Sequence, residues 1–393
     1  MTSTTYLVTV SGPDRQGVGA QLFEALSSLP DGGSVMNDVA QITIRDTLVL
    51  CVEVTLSSSV TPEAVRTVIG EHGVSAGGIE VSVTLVEPGS SPSGKRLMVT
   101  LLAPNVSSED LSVVFLAIAE SDATCERIVH LASYPVDCYE LIVRGSNQDR
   151  LRETLTNAAK KTGLDLAVQR AGLHRRSKHL VVMDADSTLL QDEVIDLLAK
   201  ACGCEKEVSI ITEAAMAGEI DFAEALRQRV ALLKGLPVSV LDDVRRQLRL
   251  SPGARTLIRT LQRLGYVAAV VSGGFVEVLE PLLQELGVDL LAANHLEIVD
   301  GVLTGHLASA VVDRAGKAKA LRHFAEITGV PLEQTVAVGD GANDIDMISA
   351  AGLGIAFNAK PVVKEHADAA LSVPYLDAVL YFLGISREEI EAD

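Results

Sequence analysis

The fold of this 393-residue chain is indicated first by Leu180-Val181-Val182-Met183, followed directly by Asp184-Ala185-Asp186-Ser187-Thr188. The four apolar residues predict a buried strand, and two carboxylates follow at its carboxyl end. Open α/β sheets bind ligands just beyond the carboxyl ends of their strands. Asp184 and Asp186 share a side in extended chain, and like charges held together require a cation, a shared proton or a functional reason. The simpler alternative is a turn in which Asp186 or Ser187 caps the next helix.

From residue 179 onward, short apolar strands alternate with helical stretches. This alternation predicts an α/β domain with a doubly wound parallel sheet of the Rossmann-like type. The predicted strands are Leu180–Met183, Val267–Val271, Thr335–Val338, Gly354–Phe357 and Ala370–Val373. An insertion over about residues 193–250 lacks any convincing strand, so we expect a helical cap over the site. Asp300-Gly301 between two apolar runs predicts a hairpin.

Three further motifs occur downstream. Ser272-Gly273-Gly274 directly follows the second strand and offers a hydroxyl and a close backbone approach to an anion, although it is also an ordinary turn sequence. Lys317 would neutralise charge on a phosphate, although most lysines are merely solvated. Gly339-Asp340-Gly341-Ala342-Asn343-Asp344 adds two carboxylates after a third buried strand. Two strand ends of one sheet that each carry an acidic pair predict a hard-cation site with oxygen ligands.

The motifs DxDST, SGG, a lone lysine and GDGAND, in this order, resemble the haloacid dehalogenase superfamily of phosphatases, and within it the phosphoserine phosphatases. The resemblance spans roughly residues 179–380 and implies Mg²⁺ as cofactor, Asp184 as nucleophile and Asp186 as general acid and base. The implied metal ligands are Asp184, Asp340 and the Asp186 carbonyl. The implied phosphoryl contacts are Ser272, Gly273 and Lys317. The implied supporting residues are Thr188, Gly274, Asn343 and Asp344, with Asn343 also counted among the substrate contacts.

The cap carries the residues that match the substrate pattern of this family. The resemblance implies that Glu193 takes the ammonium of free phosphoserine and that Arg229 clamps its carboxylate with two N–H donors. Met216 and Phe222 would exclude water. Phe222 and Arg229 are seven residues apart and share a face of one helix. The alternative for this segment is an ordinary amphipathic helix with a solvated arginine.

The first 170 residues contain an internal duplication. Residues 6–86 read as strand, helix, strand, strand, helix, strand, and the order recurs over residues 97–169, which predicts two βαββαβ units. Both units resemble ACT domains, which commonly bind amino acids at subunit interfaces. In the first unit Gly12-Pro13-Asp14-Arg15-Gln16-Gly17 resembles the ligand-binding turn, which implies Asp14 and Gly17 as regulatory contacts. In the second unit the stretch at residues 103–108 lacks the Asp-Arg-x-Gly string, so the resemblance does not extend to a ligand-binding turn there.

A breaker-rich linker at residues 87–94 and a charged run at 174–178 separate the predicted domains. We therefore expect ACT-like domains over 1–88 and 95–172, and a phosphatase domain over 179–393. The five cysteines are odd in number and lie mostly in apolar segments, so we expect no disulfide framework. Cys202-Gly203-Cys204 has no second cysteine or histidine pair nearby, which favours a structural role over a metal site.

Charge and hydropathy exclude several classes of partner. Lys plus Arg total 33 against 52 Asp plus Glu, a net charge of −19 that repels nucleic acid and anionic membranes. No apolar run reaches the roughly 18 residues of a membrane helix, and the first residues do not resemble a signal peptide, so a cytoplasmic location is expected.

The resemblance implies an enzyme that hydrolyses O-phospho-L-serine to L-serine, as the last step of serine biosynthesis. It further implies a homodimer formed through the ACT-like domains and regulation by serine. One alternative is a phosphatase or phosphotransferase for another small phosphomonoester. A second is an amino-acid-sensing binding protein with a retired catalytic domain, although such a site has no physical reason to keep mutually repelling acids.

Overall fold

The computed structural model describes residues 3–29, 34–87, 94–145, 147–172, 177–288 and 290–392, without the side chains of Gln148 and Met216. The chain divides into two compact units, Met1–Pro92 and Ser93–Asp393. Within the described residues no helix is both long enough and apolar enough to cross a bilayer.

The first unit is a βαββαβ fold, which confirms the predicted element order. Its strands are β1 (Ser3–Pro13), β2 (Val35–Ile44), β3 (Thr47–Ser57) and β4 (Glu80–Leu85), and its helices are α1 (Val18–Ser27) and α2 (Pro62–Glu71). The antiparallel sheet has the order β2-β3-β1-β4. Alternate side chains of β1 and β3, including Val8 and Val52, are buried beneath the helices because successive strand residues point to opposite faces. Thr61 caps α2 by accepting a hydrogen bond from Ala64 N at 3.2 Å.

The second unit begins with the same element order. Its first strands and helices are β5 (Lys95–Ala103), α3 (Ser108–Glu120), β6 (Ala123–Ala132), β7 (Asp137–Gly145), α4 (Gln148–Thr162) and β8 (Asp165–Arg170). The predicted capping box at the start of α3 is present: Asp110 N donates to Ser107 Oγ at 3.1 Å, and Ser107 N donates to Asp110 Oδ2 at 2.9 Å.

A parallel sheet forms the centre of the second unit, as the sequence predicts. Its strands are β9 (Leu180–Met183), β10 (Val267–Phe275), β11 (Leu290–Asn294), β14 (Thr335–Gly339), β15 (Leu353–Phe357) and β16 (Ala369–Leu371). The order is β11-β10-β9-β14-β15-β16, with every neighbouring pair parallel. The edge strand β11 was not predicted. β10 also continues past Val271 through the Ser-Gly-Gly turn to Phe275.

Helices pack around this sheet, and a cap precedes β10. The cap helices are α5 (Val194–Cys202), α6 (Glu205–Met216), α7 (Phe222–Ala231) and α8 (Ser239–Gln247). The remaining helices are α9 (Ala254–Arg263), α10 (Val276–Leu286), α11 (Arg314–Thr328), α12 (Ile345–Ala350), α13 (Pro361–Lys364), α14 (Val379–Phe382) and α15 (Arg387–Glu391). Most of the predicted insertion is therefore helical.

The predicted hairpin consists of β12 (Leu296–Val299) and β13 (Val302–Leu307). Its turn residues Asp300 and Gly301 have φ values of 52° and 79°, the left-handed conformation that a tight hairpin turn requires. The hairpin pairs with the base of the cap, where Gly235 N donates to Leu303 O at 2.8 Å. The hairpin thus connects the cap to the sheet.

The second ACT-like fold and the parallel sheet share one core. β8 lies antiparallel to β16, with Ala167 opposite Ala369, and this pairing makes a continuous ten-stranded sheet. Leu102 and Ala167 pack in the same apolar cluster as Phe382. Gln169 Nε2 also donates to Phe382 O at 2.8 Å. Residues on both sides of the predicted boundary at 172–179 therefore belong to one packed unit. The predicted domain bounds stay predictions.

The structure joins Cys202 and Cys204 in a disulfide between α5 and α6. The cysteine count did not predict this bridge. No disulfide framework was expected, and this one bridge closes only a local turn.

Gly253 precedes α9 with φ of 80°, and a Cβ there would lie 2.8 Å from the backbone nitrogen of Asp377. Gly265 has a similar φ of 78°, but a Cβ there would meet no described atom within 4 Å. We predict that Gly265→Ala destabilises the protein by about 1–2 kcal/mol, through the left-handed backbone alone. Gly253→Ala should destabilise it by more, because backbone must also move. Denaturant midpoints measure both variants, and equal shifts would contradict the close approach at Gly253.

Candidate active site

The site lies where three neighbouring strands end. β9 is flanked by β10 and β14, with Met183 opposite both Val270 and Val338. Because the strands are parallel and in register, Asp184, Ser272 and the Gly339-Asp340 turn emerge at the same edge of the sheet. The tertiary structure therefore brings together the motifs that the sequence separates by up to 156 residues.

A wide turn over Ala185–Leu189 follows Asp184. Ser187 has φ of 59°, a left-handed conformation that is uncommon for a residue other than glycine and is often found at functional sites. Ser251 Oγ donates to Thr188 O at 2.6 Å, and Asp184 N donates to Val338 O at 2.9 Å. These bonds fix the turn from both sides.

A buried ammonium lies between two buried carboxylates. Lys317 Nζ is 2.7 Å from both Asp184 Oδ1 and Asp344 Oδ1, and the three side chains are at most 5% exposed. Burial acts to lower the pKa of Lys317, but the two carboxylates outweigh it and hold the pKa above its usual value. Burial and the charge of Asp344 raise the pKa of Asp184, while Lys317 opposes them. Lys317 stays charged and screens the acids.

Three carboxylates form a candidate metal site. Oxygens of Asp184, Asp340 and Asp344 lie within 4.8 Å of one another. Thr188 Oγ1 donates to Asp340 Oδ1 at 3.1 Å, and Gly341 N donates to Asp344 Oδ2 at 2.9 Å, so both acids are oriented by neighbours. Burial and the charge of Asp344 raise the pKa of Asp340 to about 6. A cluster of hard oxygen donors under mutual repulsion fits a divalent cation such as Mg²⁺.

This cluster differs in one member from the ligand set that the resemblance implies. Asp344, to which the resemblance gives only a supporting role, contributes a carboxylate to it, as the two acidic pairs of the sequence predict. The side chain of Asp186 instead points to α5, where its Oδ1 accepts a hydrogen bond from Val194 N at 3.0 Å. The predicted contribution of Asp186 to the metal is its backbone carbonyl, and that stays a prediction.

Asp186 has the properties of a proton-transfer group. Burial raises its pKa to about 6, and the negative charge of Glu193 adds to the shift, while the Val194 hydrogen bond opposes it. A carboxyl with a pKa near the working pH can both donate and accept a proton.

The Ser-Gly-Gly turn lies between Asp186 and the cap. Ser272 is fully buried, and its Oγ accepts a hydrogen bond from Gly274 N at 2.8 Å. A Cβ at Gly273 would lie 3.1 Å from Phe222 Cζ, and one at Gly274 would lie 3.2 Å from Asp186 Oδ2. A side chain at either position would crowd these neighbours, and the Phe222 ring packs over the turn.

Three charged residues of the cap, the buried Arg229 and the more exposed Glu193 and Asp196, interact with one another. Arg229 is 8% exposed; burial lowers its pKa, and the nearby acids Glu193 and Asp196 oppose that shift. Burial and Asp196 raise the pKa of Glu193. Asp196 was not predicted, because one acidic residue in a helix carries no distinguishing pattern. Asn343 is half-buried in the turn after Asp340. The side chain of Met216 lies outside the described residues.

The predicted regulatory residues lie in the first unit. Asp14 is exposed, and its backbone nitrogen donates to Asp46 O at 2.8 Å. Gly17 precedes α1 with φ of 89°. Between them, Arg15 Nη2 donates to Gly73 O at 2.7 Å and so ties this turn to the end of α2. Asp14 and Gly17 remain accessible from solvent.

Comparisons with known proteins agree with this architecture. The haloacid dehalogenase-like hydrolase family matches residues 181–349, and ACT domain families match residues 4–82 and 96–169. A phosphoserine phosphatase of Streptomyces coelicolor is 50% identical over 388 residues, which cover 99% of this chain and 94% of that protein. One from Mycobacterium tuberculosis is 49% identical, with coverage of 98% and 94%.

A solved structure of a probable phosphoserine phosphatase from Vibrio cholerae is 32% identical with a TM-score of 0.59, and covers 75% of this chain and 89% of that one. The fold and the site define a haloacid dehalogenase-like hydrolase that carries two ACT domains. Within that class the chain belongs to the phosphoserine phosphatase family.

Replacing Lys317 tests the buried charge cluster. Lys317→Met leaves two buried carboxylates without their cation, and breaking a buried ion pair in this way costs about 3–5 kcal/mol. We predict a lower thermal midpoint in EDTA and partial recovery with Mg²⁺, because a ligand of the folded state stabilises it. Lys319→Met, an exposed position on the same helix, is the control. Equal midpoints for the two variants in EDTA would contradict the role of the ammonium.

Proposed function

We propose that the protein hydrolyses O-phospho-L-serine to L-serine and phosphate through an aspartyl-phosphate intermediate. The observation that carries the proposal is the buried Asp184–Lys317 pair at 2.7 Å, placed under a cap that contributes Glu193 and Arg229. The Asp184–Lys317 pair suits phosphoryl transfer. Glu193 and Arg229 carry charges opposite to those of the ammonium and carboxylate of a free amino acid. The names of the family relatives support the same substrate.

Asp184 is the proposed nucleophile. Lys317 and the backbone N–H of Ala185 both donate to its Oδ1 at 2.7–2.8 Å, so we assign Oδ2 as the attacking oxygen. Its bond to phosphorus forms as the bond from phosphorus to the serine oxygen breaks. The Lys317 ammonium, fixed beside the nucleophile, screens the repulsion between carboxylate and phosphate.

Asp186 is the proposed general acid and base. Its proton passes to the serine oxygen as that group leaves, and the resulting carboxylate then takes a proton from the water that attacks the aspartyl phosphate. The second step releases phosphate and regenerates Asp184. The Val194 N–H holds Asp186 Oδ1 in place through both steps. A pKa of about 6 allows both protonation states near neutral pH.

We propose that Asp184, Asp340 and Asp344 hold Mg²⁺, with the Asp186 carbonyl as a further ligand. When bound, Mg²⁺ would neutralise charge on the phosphoryl oxygens. Ser272, the N–H of Gly273 and Asn343 are the proposed neutral partners of the phosphoryl group. Phe222, which packs against Gly273, would exclude water.

The main test is phosphate release from a panel of phosphoamino acids and sugar phosphates, with and without Mg²⁺. Preference for phosphoserine supports the proposal. Preference for another ester would favour the alternative phosphatase or phosphotransferase. Binding of amino acids without any turnover would favour a retired catalytic domain.

Arg229 distinguishes these substrates. We predict that Arg229→Ala lowers kcat/KM for phosphoserine at least about tenfold more than for a phosphate ester without a carboxylate, because charged hydrogen bonds contribute about 1.5–3 kcal/mol. Arg227→Ala, on the same helix but exposed, is the control and should change neither. Equal losses of kcat/KM on both esters would show that Arg229 stabilises the fold or contacts the phosphoryl group instead of the carboxylate.

We propose that the ACT-like units form a homodimer. Every residue of β2 is exposed, although this edge strand carries five large apolar residues: Val35, Met36, Val39, Ile42 and Ile44. An exposed apolar edge strand is a template for pairing with another chain. Light scattering tests the proposal, and a monomeric mass would refute it. The cytoplasmic location stays a prediction.

We propose that L-serine binds the first ACT-like unit and changes activity. The Asp14 carboxylate would meet the ammonium, and the backbone at Gly17 would meet the carboxylate. Coupling between such sites is typically about 1–3 kcal/mol, a change of 5- to 150-fold in affinity. Serine also acts as product at Arg229, so inhibition of the intact chain cannot separate the two sites.

We predict that Asp14→Ala and Gly17→Ala weaken the serine response. Gly77→Ala is the control, because Gly77 also has a positive φ, of 71°, with no described atom within 4 Å of a Cβ. Removal of residues 1–92 should abolish the regulatory response and keep activity. A truncation that begins near Lys178 is unsuitable, because the second ACT-like fold shares its core with the parallel sheet. Unchanged serine responses in both variants and in the truncated chain would contradict regulation through the first unit.

A further inference from the structure

Asn294, at the end of β11, is a fully buried amide outside the recognised motifs. Its Nδ2 donates to Gly273 O at 2.8 Å, and its Oδ1 accepts from Val312 N at 2.8 Å. Because one partner is a carbonyl and the other an N–H, only one orientation of the amide satisfies both. The side chain therefore bridges the Ser-Gly-Gly turn and the segment that leads to Lys317.

The strand pairing explains why a side chain is needed here. β10 and β11 pair regularly up to Val271 opposite Ala292, and pairing resumes at Phe275 opposite Asn294. Three residues of β10, Ser272, Gly273 and Gly274, thus oppose the single residue Ala293 of β11, so β10 contains two extra residues here. A bulge of this kind removes backbone partners from the ladder. The Asn294 amide supplies the donor that the interrupted ladder lacks.

This donor orients the hydroxyl of Ser272. The peptide between Gly273 and Gly274 directs its carbonyl to Asn294, so its N–H points the opposite way and donates to Ser272 Oγ at 2.8 Å. Since the oxygen accepts that bond, the Ser272 hydroxyl hydrogen is available to an acceptor in the site. Loss of the Asn294 amide would therefore free both the Gly273–Gly274 peptide unit and the Ser272 hydroxyl to change orientation.

The second bond of Asn294 reaches the lysine helix. Val312 precedes Asp313, whose Oδ1 accepts from Gly316 N at 2.8 Å and whose carbonyl accepts from Lys317 N at 2.8 Å. Lys317 lies in the first turn of α11, so the position of this cap sets the position of the ammonium. One buried amide is therefore bonded to both segments that would contact a phosphoryl group.

We propose that Asn294 is a positioning residue for phosphoryl recognition. Its two hydrogen bonds hold the Ser272-Gly273-Gly274 bulge and the start of the Lys317 helix in fixed positions relative to each other. The proposal rests on the proposed function for the identity of the group that is bound. Asn294 positions the groups that bind the phosphoryl end of the substrate, whereas Arg229 is proposed to bind the carboxylate at the amino-acid end.

The test compares Asn294→Asp and Asn294→Ala with Thr335→Val in the full-length protein. Asp keeps the size but replaces the donor with an oxygen facing the Gly273 carbonyl, and Ala removes both bonds. Thr335 is a matched control: it is also fully buried, donates to Leu332 O at 2.7 Å and accepts from Gly352 N at 3.3 Å, at the opposite end of β14 from the site.

Calorimetry with inorganic phosphate in the presence of Mg²⁺ gives the main readout. We expect the Asn294 variants to bind phosphate about 10- to 100-fold more weakly than the unmodified protein, as is typical when a partner that orients direct contacts is removed. Thr335→Val should lower only the thermal midpoint. With active enzyme, kcat/KM should fall by the same factor for phosphoserine and for an ester without a carboxylate.

A loss of at least threefold in phosphate affinity, beyond that of Thr335→Val, supports the proposal. A smaller loss in the folded variants overturns it, and so does failure of both variants to fold, which would assign Asn294 to the core alone. If the unmodified protein binds phosphate but does not hydrolyse phosphoserine, the proposed function fails and the affinity comparison still decides the role of Asn294.

Discussion

The buried ammonium of Lys317 is the constraint on which the site depends. Its contacts with Asp184 and Asp344, both at 2.7 Å, keep together carboxylates that would otherwise repel one another in a low-dielectric interior. The candidate metal site uses these same two acids together with Asp340. The proposed phosphate contacts, the proposed nucleophile Asp184 and the candidate cation site therefore all depend on where α11 begins.

The parallel sheet explains how separate segments supply these charges. Strands that run in one direction end at one edge, so each strand can contribute a turn without folding back through the core. The long connection between β9 and β10 begins at the same edge, which places the cap directly above Asp186 and the Ser-Gly-Gly turn. Phe222 in the cap packs against Gly273, so the cap covers this turn.

The second ACT-like fold is part of the catalytic body. The pairing of Ala167 with Ala369 occupies the β8 edge of its sheet, and the shared packing around Phe382 buries part of one face. That edge is unavailable to another chain, whereas β2 of the first unit is exposed along its whole length. The two copies of one sequence pattern therefore occupy different environments, and we infer that they have different roles.

Local patterns in the sequence sufficed for the element order, the helical insertion and the hairpin, and they placed the four motifs at strand ends or helix starts; the roles of the motif residues stay predictions. Buried strands appear as short apolar runs, and tight turns require glycine or a small polar residue, so both leave a signal within a few residues. Contacts between distant segments leave none. Only the folded chain shows that the carboxylates of Asp184, Asp340 and Asp344 lie together while that of Asp186 faces α5, that Asn294 bridges the bulge in β10, and that β8 continues the parallel sheet. These depend on side-chain directions and strand neighbours, which are set when the whole core packs.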